Sequence, residues 1–307
     1  MRARLALLLL ATCSNAAARA DAALGELREL RRFDAREARQ GVAVDARHFY
    51  AIDSRAIGKY DKQSGARVGE YLDPDGATVQ HLNSGIVIDG RLYCAHSNYP
   101  ELPMRSSIEV FDTETLEHLE SRGLEIRSGS ATWIDRHAGH WWVSFANYAG
   151  AGGAPGRGPE STQLIRFDDR WRVLERFAFP GALIERFGTM SNSGGAFGPG
   201  RLLYATGHDA AELYALRVPT LGAALDAQSE PGPSLALDGR RGAGAAIGPD
   251  ARSGLGTPLE LAAVLRVAAE GQGIAWDPSD RRVLYSVVRS AREVVVSRLV
   301  DAAESGR

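Results

Sequence analysis

Cysteine is nearly missing from this chain: of 307 residues only Cys13 and Cys94 are cysteines. Cys13 falls in a segment expected to be removed, so no intramolecular disulfide is available to brace the fold. A chain of this length buries enough apolar surface to do without one. Cys94, at an alternating position of RLYCAHS, reads as a small buried apolar side chain. Lysine is also scarce, occurring at Lys59 and Lys62, and arginine carries the positive charge. With abundant Ala and Gly, this fits a high-GC bacterial coding bias. The formal net charge of −2 excludes the strongly basic surface that nucleic acid or an anionic membrane demands. Beyond the first twenty residues there is no apolar run long enough to cross a bilayer.

Those first twenty residues have the layout of a targeting segment. Arg2 and Arg4 precede the run Leu5 to Leu10, and Ala18-Arg19-Ala20 supplies a small-residue cleavage pattern. The expectation is a signal peptide over 1–20 and a mature chain starting near Asp21, periplasmic or secreted. Leu10-Ala11-Thr12-Cys13 loosely resembles a lipoprotein signal, which leaves a lipid anchor at Cys13 open as the sole membrane attachment. Residues 301–307 read as a frayed polar tail.

What the sequence does have is a phrase stated twice. Residues 40–45 read QGVAVD and residues 272–277 read QGIAWD, with softer copies SGIVID at 84–89, SATWID at 130–135 and SGGAFG at 193–198. Each is a small-residue entry, an apolar β-branched run and a turn-forming end, the signature of a buried strand leading into a hairpin. Repetition at intervals of several tens of residues marks a propeller or solenoid. The units begin at Gly41, Gly85, Ala131, Gly194 and Gly273; the first two intervals hold four short strands each, and the last two carry insertions.

The predicted fold is therefore all-β, a five-bladed β-propeller of four-stranded blades in one domain over 21–300. The last blade runs out one strand short, and residues 26–33 are expected to complete it by joining the N-terminal strand to the C-terminal blade, which removes the exposed sheet edge. Six blades is the alternative, with a degenerate blade hidden before Thr257. Against it, 224–257 contains Pro231-Gly232-Pro233 and several Gly-rich clusters and no alternating run of strand length. That stretch and AGAGGAPGRGPE at 149–160 read as flexible insertions.

In such a ring the connections between blades and the loops between a blade's second and third strands open on one face, where ligands are expected. The connections place Gln40, His81, Asn83, Asn192, Ser193, Glu270 and Gln272 there. The loops add His96, Asn98, Tyr99, Asn147, Tyr148, His208, Asp209 and Arg289. His81, His96 and His208 are the candidate catalytic bases. Gln40, Asn83, Asn98, Asn147, Asn192, Asp209, Glu270, Gln272 and Arg289 are the candidate substrate-binding groups. No short-range ligand spacing marks a metal, so no cofactor is expected, although three imidazoles from separate blades leave a divalent metal open. Asp45, Asp89, Asp135 and Asp277 read as turn residues of the opposite face, and Trp133 and Trp276 as packing between blades. Structural roles at the strand entrances stay open for Gln40, Asn83, Asn192 and Gln272.

The wording at QGVAVD, IGKYDKQSGARV, NSGIVIDGRLYCA and GIAWDPSDRRVLYSV resembles the plant- and bacterial-type glutaminyl-peptide cyclotransferases, and is similar to bacterial propellers labelled cycloisomerases and, more distantly, to lactonase and strip-repeat propellers. The resemblance spans most of residues 27–300 and sits largely in blade-forming positions. It implies a five-bladed propeller with a signal peptide and, in the cyclotransferases, Glu and Trp at several entrances between blades, where the carboxylate can move the proton. Here the entrances read HLNSG, RSGSA and NSGG, and Glu270 is the one acid kept. The expected activity is a proton-transfer reaction on a small polar molecule, a cyclisation, isomerisation or lactone opening. The alternative is a non-catalytic propeller that binds a ligand or a protein at its mouth. A monomer with a small-molecule ligand and no nucleic-acid partner is expected.

Overall fold

A computed structural model describes residues 25–219 and 256–301. The expected signal peptide, 224–255 of the expected insertion and the tail beyond Asp301 lie outside the described residues. Among those described, the strands form five antiparallel blades. The first is β2 (Gly41–Val44), β3 (His48–Asp53), β4 (Ala56–Asp61) and β5 (Arg67–Leu72). The second is β6 (His81–Ile88), β7 (Arg91–Ser97), β8 (Ser106–Asp112) and β9 (His118–Leu124). The third is β10 (Ser130–His137), β11 (His140–Ala146), β12 (Gln163–Phe167) and β13 (Val173–Ala178). The fourth is β14 (Gly194–Phe197), β15 (Leu203–Thr206), β16 (Glu212–Arg217) and, beyond the insertion, β18 (Glu260–Arg266).

The fifth blade joins the two ends of the chain. Strands β19 (Ile274–Trp276), β20 (Val283–Val288) and β21 (Glu293–Val300) are completed by β1 (Glu26–Asp34). β1 runs antiparallel to β21 from Glu26 opposite Val300 to Asp34 opposite Glu293. The ring thus closes as the one-strand deficit required.

The repeated phrase has a packing reason. The inner strands converge on the axis, and a Cβ on Gly41 would stand 2.8 Å from Ser84 Cα, while one on Gly273 would stand 2.7 Å from Gly41 Cα. No side chain fits where the backbones of blades one, two and five approach this closely, so the phrase keeps Gly at both copies. Outward from the axis, the apolar faces meet in five clusters, one at each junction between blades. Trp133, Trp142 and Phe177 of blade three meet Leu203 and Tyr214 of blade four, and Cys94 lies fully buried in the cluster between blades one and two. Burial pushes the Cys94 thiol far up, so it stays protonated and inert.

Three features go beyond the strand pattern. A short helix, α1 (Gly181–Phe187), follows Pro180 in the connection from blade three to blade four, buries Leu183 and Phe187 one turn apart on the cluster below, and stops at Gly188 with φ 66°. β17 (Thr257–Pro258) adds a fifth strand to blade three, parallel to β13, as the chain returns from the insertion. Asp135 is not a turn residue: it lies within β10, buried, and accepts the Phe197 N–H of the next blade at 2.6 Å. Asp45 does hold its turn, accepting N–H bonds from Arg47 and His48 at 2.6 Å.

Candidate functional site at the channel mouth

All five blades contribute to a cavity of about 120 Å³ at the mouth of the channel. It is lined by Gln40, His81, Asn83, Tyr99, Thr132, Tyr148, Met190, Ser193, His208 and Gln272. At roughly 30 Å³ per water, this space holds a few waters or a small molecule.

His81 opens β6. Its Nδ1 lies 3.0 Å from Ser54 Oγ, which also accepts the Gln40 amide at 3.3 Å. The ring leans on Tyr99, centroids 5.0 Å apart. Nε2 has no partner among the described residues, and in the tautomer that donates Nδ1–H to Ser54 it carries a free lone pair. Burial, reinforced by His96, holds the imidazole down at about 4, so it is neutral across the physiological range.

His208, past the end of β15, is held from both sides. Arg289 Nη1 donates to its Nε2 at 2.7 Å, and Nδ1 lies 2.6 Å from Asp209 Oδ1. A guanidinium only donates, so Nε2 bears the lone pair and Nδ1–H points to Asp209. Burial and then Arg289 lower the His208 pKa against the opposing pull of Asp209. His208 is a fixed neutral ring whose acceptor site is already taken.

Thr132 was not legible as a site residue. Strand pairing passes from Ala131 opposite Phe145 to Trp133 opposite Ser144, so Thr132 is the extra residue of a β-bulge. Its Oγ1 is buried and has no hydrogen-bond partner among the described residues. A second irregularity, between Leu82 and Gly85, brings Asn83 to the cavity, where its amide donates to Ala131 O at 3.0 Å. A bulge breaks the period-two alternation, so reading outward-facing positions from the sequence misses Thr132, while Asn83 is found from its place at the blade entrance.

Several expected site residues are structural. His96 is absent from the lining: Nε2 accepts the Gln80 N–H at 2.9 Å and Nδ1 donates to Ser107 Oγ at 2.8 Å. Ser107 in turn donates to the buried Glu109, which His118 also meets at 2.8 Å. Asn98 closes its own loop onto Arg105 N and Pro103 O. Asn147 clamps Ser128 O and Ser161 O. Asn192, fully buried, accepts from Trp133 Nε1 at 2.6 Å and Ser144 Oγ at 2.7 Å and donates to Gly194 O and Thr206 O. Glu270 is exposed, takes a bond from Ser290 and lies outside the lining. Gln40 and Gln272 do line the cavity, and Gln272 reaches His208 O at 3.4 Å. Asp209 and Arg289 act through His208.

With His96 bonded elsewhere, His81, His96 and His208 do not converge as metal ligands. Among the described residues no three His, Cys, Asp or Glu side chains are placed to hold a metal ion.

The buried His81 gives stability a pH signature. Its folded pKa of about 4 lies below the 6.5 of the unfolded chain, so between those values the unfolded state binds the extra proton. Stability then falls as pH drops from 6.5 to 4, by roughly 3 kcal/mol for this one group. Asp135, at the opposite end of the channel, is raised by burial to about 6 and acts in reverse, losing stability as pH rises from 3.8 to 6. Urea unfolding of the wild type and His81→Asn at pH 7 and pH 4 separates the two. The substitution is expected to remove roughly 3 kcal/mol of acid sensitivity and leave the Asp135 contribution. Equal pH slopes in both proteins would show that His81 is solvated.

No family model matches the chain, and no curated protein matches it. Solved structures with a similar course of the chain include a gluconolactonase of Xanthomonas campestris, 12% identical over 85% of this chain and 71% of that one, TM-score 0.44. A luciferin-regenerating enzyme is 10% identical over 89% of this chain and 94% of its own, TM-score 0.46. Hydrazine synthase of Kuenenia stuttgartiensis is 12% identical over 85% and 83%, TM-score 0.44. At these values the likenesses carry nothing about the chemistry of the mouth, which rests on its side chains.

Proposed function

We propose that the mouth binds a small polar molecule and that His81 serves as proton acceptor in a proton-transfer reaction on it, of the cyclisation, isomerisation or lactone-opening class. One observation carries this reading: a neutral imidazole, His81, whose Nε2 has no partner among the described residues, lines the same small cavity as Thr132, whose buried Oγ1 is likewise unpaired among them. A buried unpaired hydroxyl costs about 1–3 kcal/mol, which a rotation of the Thr132 side chain toward a bound ligand would offset.

The low proton affinity of His81 suits this role. Burial is what depresses it, and a negative charge developing on a substrate oxygen in the same cavity raises it again. His81 therefore binds a proton more tightly as the reaction proceeds, a stabilisation specific to the transition state. Thr132 and Asn83, which line the same cavity, would orient the substrate. His208, its Nε2 occupied by Arg289, is a rigid wall rather than a second base. The one acid of the blade entrances, Glu270, lies outside the cavity, so a carboxylate base of the cyclotransferase kind is not used here.

The test is a panel of lactones, hydroxy acids and aminoacyl amides, followed by melting temperature and by turnover. A binder is expected to raise the melting temperature, and His81→Asn is expected to lower kcat by roughly a hundredfold or more with KM little changed. Thr132→Val is expected to weaken binding with kcat less affected. Turnover undiminished in His81→Asn defeats the catalytic assignment, and binding without turnover in the wild type points to a ligand-binding propeller.

A further inference from the structure

A second cavity, of about 460 Å³, opens beside the mouth between blades two and three. It is within the size range of small-molecule sites and almost four times the volume of the mouth cavity. The two do not share a lining residue. Gly152 lines the larger one and packs on Tyr99, and Tyr99 with Tyr148, their rings edge to face at 5.2 Å, lines the smaller.

The walls are apolar: Leu102, Met104, Ala146, Ala154 and Pro155. The polar groups of the lining are largely used up by the protein itself. Ser130 Oγ bonds Ser97 Oγ at 2.8 Å, and the Asn147 amide bonds Ser128 O and Ser161 O. A sugar or other polyhydroxyl compound would find few partners inside. The charge is at the rim, where Arg127 and Arg157 line the cavity, and neither has an acidic partner among the described residues. Arg157 is positioned by its bond to Arg127 O, which ties the β11–β12 loop to the connection before β10. A single exposed arginine is ordinary. Two without acids at the lip of an apolar cavity match an anion at one end of an apolar body.

From this geometry we infer a binding site for an amphiphilic carboxylate, with its aliphatic chain in the cavity between blades two and three and its carboxylate between Arg127 and Arg157. Chain length then sets affinity, because each CH₂ withdrawn from water tightens binding about fourfold. The carboxylate contributes about a further tenfold through charge-assisted hydrogen bonds.

The experiment uses the full chain and titrates octanoate, hexanoate and octan-1-ol by calorimetry. Octanoate is expected to bind roughly fifteenfold more tightly than hexanoate and about tenfold more tightly than octan-1-ol. Arg127→Gln and Arg157→Gln, made separately, are each expected to erase most of the preference for octanoate over octan-1-ol. Arg127→Gln keeps the backbone carbonyl that Arg157 uses, so it tests charge without releasing the loop. Ala154→Trp, which fills the cavity, is expected to abolish binding of all three probes, and Leu102→Trp is the second filling variant should the first not fold. Equal affinity for octanoate and octan-1-ol, or octanoate binding that survives both a filled cavity and loss of the arginines, overturns the site. His81→Asn is expected to leave octanoate binding unchanged, so this site and the mouth stand or fall separately.

Discussion

Removing residues 21–34 is expected to abolish cooperative folding. β1 pairs along the whole of β21, and its loss would expose the edge of a strand whose Val294, Val295, Val296 and Leu299 are buried. The strand also reaches both flanks of its blade. Leu27 packs on the cluster between blades four and five, and Phe33 belongs to the cluster between blades five and one. Without β1 both junctions loosen, and the ring loses the link that joins its ends. Domains carry a margin of only about 5–15 kcal/mol, and this loss is expected to exceed it. The exposed edge should also promote edge-to-edge association. Soluble yield and urea unfolding followed by far-ultraviolet circular dichroism check this. A truncated protein that unfolds at the wild-type midpoint would show that blade five is stable with three strands.

Replacing Asn192 with Ala is expected to destabilise the protein by about 4 kcal/mol without any ligand present, lowering the melting temperature by roughly 10 °C. The side chain is fully buried at the junction of blades three and four and makes four hydrogen bonds there. Truncation strands the Trp133 N–H and the Ser144 hydroxyl in an interior water does not reach and takes one donor from Gly194 O and from Thr206 O, which keeps the Ser193 N–H; each unmet group costs on the order of 1–3 kcal/mol. Asn192→Asp is expected to be as harmful, because a carboxylate keeps the acceptor but sets an oxygen against Gly194 O and Thr206 O. Thermal unfolding of the ligand-free variants is the measurement. An unchanged melting temperature with lost ligand binding would return Asn192 to the substrate-binding set.

The fold was largely readable because propeller blades write local rules. Gly41 and Gly273 repeat since backbones meet at the axis, and the apolar runs of β3, β7, β11, β15 and β20 repeat since every blade buries both faces. Closure was readable by counting, from a C-terminal blade one strand short and an N-terminal segment with the matching layout. Helix α1 was not: seven residues between Pro180 and Gly188 give too little periodicity to stand out. Nor was β17, whose two residues pair with blade three only because the chain returns past it.

The candidate site was legible only as a ring of positions. Sequence placed His81, His208, Gln40, Asn83 and Gln272 on one face, and they line one cavity. It equally placed His96, Asn98, Asn147, Asn192 and Glu270 there, which turn to loops, blade junctions or solvent. The sequence by itself determined the blade count, the order of the strands and the face on which connections gather, since chain direction and hydrophobic period fix these. Tertiary structure alone decided which polar side chains were left free. A hydrogen bond between Asn192 and Trp133, fifty-nine residues apart, or the bulge that frees Thr132, depends on where neighbouring blades place their donors and acceptors, and no local pattern encodes that.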